Sequence, residues 1–345
     1  MTNIFKRVAD AHAGSASHIA AVDLGFFALT ALENGSGNLE LINWRTGDGV
    51  ARQHDSGNQA GSVSEVASTR NRDLTVTAVR NGSGALELIS WDDGAGQNAI
   101  VRRADSGTQA GEASLVTIEA VTSGTAAQLV TAIRNGAGNL MLIAWDLDLN
   151  GKITRLGDSG HQAGEVSAIA LSVQGNIAVT AVINGSGNLE LITWDISTDG
   201  RSIKRLADSG TQAGAVSEVA IADNVTAVRA GNGTLKLISW GISADGRSIK
   251  RLGDSGSEAG AATRIAISRF SNTRFVTAVK AGNGALKLIA FDVASSGAIT
   301  RVGDSDDLAG AIDEVALTTP ESNNLVTAVR NGSGDLEVIA WQMYA

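Results

Sequence analysis

Short runs of alternating or β-branched apolar residues follow one another along the whole chain, each closed off by Gly, Asn, Asp or Ser. Alternation over so few residues predicts half-buried β-strands, and the turn residues at their ends predict reversals of direction. In the stretch that opens at Asp208 the runs are Val216 to Ile221, Val225 to Arg229, Leu235 to Trp240 and Ile249 to Leu252, here called A, B, C and D. The B–C connection is a tight hairpin, as at Asn81-Gly82-Ser83-Gly84, whose glycines supply the positive φ such turns require. No stretch holds a helical period long enough to compete.

A tripeptide marks the recurrence of this pattern. Thr-Ala-(Val/Ile/Leu) begins at Thr30, Thr77, Thr131, Thr180, Thr226, Thr277 and Thr327. Each copy is followed by a Gly-x-Gly turn, a Leu-x-(Leu/Val)-Ile run and a large aromatic, namely Trp44, Trp91, Trp145, Trp194, Trp240, Phe291 and Trp341. Seven units of roughly 50 residues result, a period found among propeller blades. The segment MTNIFKRVAD carries an apolar run too short for a Sec signal peptide, and its Ile4-Phe5-Lys6-Arg7 matches strand D of the other copies. The last run, Leu336 to Trp341, is a strand C, so residues 4–10 are expected to pair with 336–341 and complete the seventh sheet. The predicted fold is all-β: a single domain over residues 1–345, a closed seven-bladed β-propeller with four antiparallel strands per blade.

Composition narrows the function. The 345 residues include no cysteine, which removes disulfides and thiolate metal sites and fits a reducing cytoplasm or leaderless export. No apolar run reaches the length of a membrane span. A net charge of −9 argues against nucleic acid, which demands a basic stripe. The histidines His12, His18, His54 and His161 are scattered without metal spacing, and neither a nucleophile elbow nor a phosphate-binding loop occurs. The aromatics ending strand C are assigned to packing between neighbouring blades, with ligand stacking as the alternative.

Two sets of polar positions remain. Arg-x-x-Asp recurs in all seven units, from Arg7 to Arg301, with later aspartates at Asp55, Asp105, Asp158, Asp208, Asp254 and Asp304. A basic residue closes strand B at Arg80, Arg134, Arg229, Lys280 and Arg330, while Glu33 and Ile183 break the pattern. In a four-stranded blade the D–A crossover and the B–C hairpin emerge on one rim, so these Asp and basic residues are expected to meet. They would either clamp each crossover, with the first Arg stacked on the strand-C Trp, or form a ring of similar polar pockets. The second set varies. In the strand-A pattern Val-Ser-x-Val-Ala, x is His18, Glu65, Leu115, Ala168, Glu218, Arg264 and Glu314, a position expected to line the mouth of a central channel. Apart from both, Asp146, Asp148 and Asn150 precede Gly151 with the alternation of a calcium loop, but the closing position holds Gly157 instead of Glu. A plain C–D turn is the alternative to a weak calcium site.

With strand-C Trp91, strand-B Thr77 and the loop residue Asp55, the layout resembles WD-repeat propellers, where such residues share a hydrogen-bonded network; Gly-His is absent and Trp-Asp appears only at Trp91, Trp145 and Trp194. The blade plan also resembles bacterial and fungal propeller lectins, without their Trp-rich loops, and the propeller half of cyanobacterial resorcinol-alkylating enzymes. These resemblances concern fold plan, and fold alone leaves function open. The first expectation is a non-catalytic, lectin-like module holding carbohydrate or glycoconjugate at several equivalent rim sites, without a cofactor. A protein-interaction scaffold using Gly25-Phe26-Phe27 and Arg269-Phe270 is the second. The third is an enzyme at the channel mouth, with Glu65, Glu218 or Glu314 as acid or base and Arg264 as anchor.

Overall fold

The computed structural model describes every residue except 1, 2, 48, 95–98, 123, 127, 258, 307, 320–323 and 345. Unit 1 holds β1 (Phe5–Asp23), β2 (Phe27–Asn34), β3 (Leu39–Arg45) and β4 (Ala51–Asp55). Unit 2 holds β5 (Val63–Asn71), β6 (Leu74–Asn81), β7 (Leu86–Asp92) and β8 (Val101–Asp105), and unit 3 β9 (Ala113–Ala120), β10 (Leu129–Asn135), β11 (Leu140–Leu147) and β12 (Ile153–Asp158). Unit 4 holds β13 (Val166–Gln174), β14 (Ile177–Asn184), β15 (Leu189–Ile196) and β16 (Ile203–Asp208), and unit 5 β17 (Val216–Ala222), β18 (Val225–Ala230), β19 (Leu235–Ile242) and β20 (Ile249–Asp254). Unit 6 holds β21 (Ala262–Arg269), β22 (Arg274–Ala281), β23 (Leu286–Val293) and β24 (Ile299–Asp304); unit 7 holds β25 (Ile312–Thr318), β26 (Asn324–Asn331) and β27 (Asp335–Met343). No α-helix occurs among the described residues, and no helix is long and apolar enough to cross a membrane.

Units 2 to 6 are antiparallel four-stranded sheets in simple A-B-C-D order. Units 7 and 1 depart from the expected plan, because they merge into one seven-stranded sheet, β25-β26-β27-β1-β2-β3-β4. The first half of β1 pairs with β27 from Phe5 opposite Met343 to Ser15 opposite Asp335, and its second half pairs with β2 from Ala16 opposite Asn34 to Asp23 opposite Ala28. The cause is a shorter crossover. Between the strand-D Asp and the Gly before strand A, the other units have five residues, as in Ser56 to Ala60, whereas only Ala11, His12 and Ala13 separate Asp10 from Gly14. Five residues turn away from the sheet; three continue the strand ladder.

Apolar side chains form a separate core between each pair of consecutive units. Trp91 packs against Leu29, Ala31 and Leu41 of unit 1, Trp145 against Val76 and Leu88 of unit 2, and Trp194 against Val130 and Leu142 of unit 3. Trp240, Phe291 and Trp341 repeat this towards units 4, 5 and 6, and Trp44 packs against Val326, Ala328 and Val338 of unit 7. All seven aromatics have no accessible surface. An aromatic of this size removes roughly 150–250 Å² from water, about 4–6 kcal/mol at 25 cal/mol/Å². The A strands follow the same order: β1 lies beside β5, β5 beside β9, β9 beside β13, β13 beside β17, β17 beside β21, β21 beside β25, and β25 beside β1.

Burying an indole also buries its N–H, which must find an acceptor. The strand-B Thr supplies it: Trp44, Trp91, Trp145, Trp194, Trp240 and Trp341 donate to Thr30, Thr77, Thr131, Thr180, Thr226 and Thr327 at 2.9–3.0 Å. The hydroxyl in turn lies 3.4 Å from the Ile89 carbonyl in unit 2. In unit 6, where Phe291 carries no N–H, Thr277 keeps only its bond to the Ile289 carbonyl, at 3.3 Å. Thr77→Val is expected to destabilise the protein by about 1–3 kcal/mol in urea unfolding, because the Trp91 indole is left unpaired. Adding Trp91→Phe to that variant should cost less than the two single changes summed; strict additivity would show that the bond contributes nothing.

Candidate functional site on the hairpin rim

Crossovers and B–C hairpins share one rim, where Leu39 N–H bonds Gly61 and Val63 N–H bonds Gly37, each at 3.0 Å. The Asp-Ser-Gly-x-Gln-Ala-Gly crossover locks units together there. Its Ser sits beside strand C, as where the Leu88 N–H donates to Ser106 Oγ at 3.0 Å and the Ser106 N–H to the Leu88 carbonyl at 2.8 Å. Its Gln reaches the outer strand of the unit being entered. Gln59 accepts from the Arg102 N–H and donates to the Ile100 carbonyl, both at 2.8 Å, while Arg102 Nη1 returns a bond to the Gln59 carbonyl at 2.8 Å. Gln109, Gln162 and Gln212 repeat this on Arg155, Arg205 and Arg251. An outer strand exposes unpaired N–H and C=O groups, and the Gln amide covers two of them.

The Arg-x-x-Asp pair belongs to the same clamp. Arg52, Arg102, Arg155 and Arg205 meet Asp55, Asp105, Asp158 and Asp208 at 2.5–3.0 Å, and Arg251 and Arg301 meet Asp254 and Asp304. The other oxygen of each Asp accepts the N–H two residues on, as Asp105 does from Gly107 at 2.8 Å. This corrects the expected partnership with the basic ends of strand B. Arg80 instead donates to Ser64 Oγ at 2.9 Å and to the Ala113 carbonyl of unit 3 at 3.0 Å, Arg229 donates to Ser217, and Lys280 pairs with Asp313 of unit 7 at 2.9 Å. The anticipated network of Trp91, Thr77 and Asp55 is likewise divided, since Asp55 bonds Arg52 and Gly57. The first Arg is the cross-strand partner of each aromatic, as Arg102 is of Trp91.

Among the variable strand-A positions, the structure brings three together. Glu65 feels both His18 and Glu314, which stand on units 1 and 7; burial raises its carboxyl above the ordinary range, with His18 and Arg80 opposing and Glu314 reinforcing. His18 Nε2 lies 3.5 Å from Glu33, one of the two residues that break the basic pattern of strand B, and Glu314 accepts the Ile19 N–H at 3.3 Å. Glu218 stands apart, opposite Arg229, and Arg264 lies near Asp313. His18, Leu115 and Arg264 adopt φ values of 50°, 52° and 52°, a left-handed conformation uncommon for such residues.

Sequence reasoning passed over Glu119, the penultimate residue of β9, which lies opposite Val130 of β10. It is half-buried by surface, yet so closely surrounded that lost hydration pushes its carboxyl from 4.5 to about 7, with Asp223 adding to the rise. Asp223 follows β17, so the two carboxylates interact with a whole unit lying between them in sequence. It also passed over Asp10, His12 and Glu337, whose ligand atoms lie within 4.8 Å of one another, the one such grouping of metal-ligating side chains among the described residues. Arg7 already matches two of those charges, at 3.0 Å from Asp10 and 2.6 Å from Glu337.

The calcium-like loop works as a docking turn. Asp148 Oδ1 accepts the N–H groups of Asn150 and Lys152, both at 2.8 Å, and the Gly151 carbonyl accepts Ser90 Oγ of unit 2 at 2.6 Å. Gly151 has φ +90°, and a Cβ there would stand 2.8 Å from Arg103 Cβ, so close approach of two units explains the glycine. Among the described residues, Asp146 belongs to no group of three His, Cys, Asp or Glu ligands. Of the two aromatic loop candidates, Phe26 is 76% exposed, whereas Phe270 packs on the core between units 6 and 7. Between the hairpins of units 2 and 3 lies a cleft of about 270 Å³ bounded by Arg80, Glu112, Ser114, Arg134 and Asn135.

No family model and no curated protein matches the chain. Solved structures that resemble it include the computationally designed Ika8 protein, with TM-score 0.54 and 16% identity over 98% of this chain and 100% of that one, and Saccharomyces cerevisiae Sqt1, with TM-score 0.58 and 13% identity over 100% of both. At such identities the likeness concerns fold alone.

Glu119 generates a pH prediction. Between pH 4.5 and 7 the folded protein retains a proton that the unfolded chain has released, so this group's contribution is complete below 4.5 and falls as pH rises through about 7. Glu119→Gln should therefore unfold at a higher temperature than the parent at pH 8 and at nearly the same temperature at pH 4. Equal melting at both pH values would show that Glu119 is ordinarily hydrated.

Proposed function

We infer that the chain is a closed seven-bladed β-propeller acting as a non-catalytic binding protein, with saccharide-class ligands taken up on the hairpin rim. Ring closure is supported by the cyclic succession of cores and A strands, in which unit 7 meets unit 1 as any unit meets the next. The seven-stranded sheet is then two blades joined by a shared β1. For binding, the observation that carries the reading is the cleft between the hairpins of units 2 and 3. It gathers two guanidinium groups, a carboxylate, two hydroxyls and hairpin backbone, and among the described residues exposed Arg134 donates to none of the crossover clamps. Such a set suits the clustered hydroxyls of a sugar. Asp55, Asp105, Asp158, Asp208, Asp254 and Asp304 fall to architecture in this reading, because the clamp uses both oxygens.

A second reading, an active or binding centre at the mouth of the channel, is favoured by the meeting of His18, Glu65 and Glu314. A glycan array run with calcium and again with chelator separates the two. A related set of sugars should bind, and Arg134→Ala should weaken them at least tenfold without shifting the melting temperature. Loss in a Glu65→Gln, Glu314→Gln double variant with Arg134→Ala silent would move the site to the mouth. A blank array would remove the saccharide class.

A further inference from the structure

The short crossover into unit 1 deletes the residue that, in four other units, covers the outer strand. In units 2 to 5 a Gln side chain and its own carbonyl occupy three points on strand D: the backbone N–H of an Arg, the carbonyl two residues before it, and that Arg's Nη1. The counterpart in unit 6, Glu258, lies outside the described residues, and in unit 7 the Leu308 carbonyl alone is used, by Arg7 at 3.3 Å. In unit 1 the corresponding points are the Arg52 N–H, the Val50 carbonyl and Arg52 Nη1, and among the described residues no crossover side chain hydrogen-bonds them.

A pocket of about 270 Å³ opens beside one of these points, the Arg52 side chain, and is bounded by Ala13, Gly14, Asn34, Ser36, Glu40 and Arg52. Its polar wall is held in position. Arg52 Nη2 bonds Glu40 at 3.1 Å and Asp55 at 2.9 Å, and Asn34 Nδ2 bonds the other Glu40 oxygen at 3.2 Å. The Arg52 side chain is 40% exposed, against 28–29% for Arg102, Arg155, Arg205 and Arg251 beneath their Gln. We propose that this pocket is a receptor site for an extended, uncharged peptide segment of a partner protein that presents a Gln. The side-chain carboxamide would span the Arg52 N–H and Val50 carbonyl, and its backbone carbonyl would accept from Arg52 Nη1. The four internal crossovers are the ligand's template: the same chain displays, at bonded distances, what fits the surface that unit 1 leaves open. The site uses neither Arg80 nor Arg134 and stands apart from the saccharide reading.

The test uses the intact protein and the blocked hexapeptide Ser-Gly-Thr-Gln-Ala-Gly, the sequence of residues 209–214. A short flexible peptide pays heavily for ordering, so dissociation constants in the millimolar range are expected. In amide NMR spectra, the peptide should shift the signals of Arg52 and its strand neighbours saturably. Replacing its Gln by Leu should weaken it at least tenfold, as should Arg52→Ala in the protein. A second variant, with Ala11-His12 replaced by Ser-Gly-Thr-Gln, rebuilds the crossover; it should fold, melt no lower than the parent and lose the peptide. Absence of shifts at millimolar peptide, equal binding of the Leu peptide, or undiminished binding by the rebuilt variant would each overturn the proposal. So would a silent peptide with acetamido sugars shifting the same amides, since the pocket would then recognise a sugar amide.

Discussion

Every sheet in this protein must have both faces covered by its neighbours, and the buried aromatic at the end of each strand C is what makes that possible. The alternating strands leave apolar residues on two faces, and a lone four-stranded sheet would keep them in water. Seven cores, each spanned by one aromatic, remove that surface in turn. The indole N–H is the polar cost of that choice, and the strand-B Thr offsets it inside the same unit. The Thr fourteen residues before each Trp serves as that acceptor.

Polar residues repeat for a related reason. A unit stacked only through apolar faces has freedom to slide, and its outer strand has unpaired backbone groups. The Gln and Arg of the crossover fix both at once, while Ser90, Thr193 and Ser239 reach the next unit's turn at 2.6 Å on the opposite rim. Exposed ion pairs add little stability one by one, so the clamp matters chiefly for geometry. The full clamp occupies units 2 to 5. The repeated Arg-x-x-Asp pairs are bonded internally, whereas three departures from the repeat meet in unit 1: Glu33, His18 and the short crossover.

Strands, hairpins and the seven aromatics were legible because they depend on local alternation and on turn residues of fixed conformation. The Arg-x-x-Asp repeat was equally visible, but its partner was not. Asp55 stands three residues from Arg52, within reach on one twisted strand, and no spacing rule ranks that above the more distant Arg80. Gln59 and its counterparts were plain in sequence, yet their bonds cross 37 to 46 residues to another unit's edge.

The sequence by itself determined the repeat, the strand periodicity and the turns, all set by interactions within about fifteen residues, and it marked the aromatics whose burial a neighbouring unit completes. Tertiary structure alone decided that β1 runs unbroken through two units, because a two-residue shortening acts only once both ladders are in place. It alone revealed the raised carboxyl of Glu119, which depends on crowding and on Asp223 two units away. It alone opened the pocket beside Arg52, a surface defined by what the other units place there.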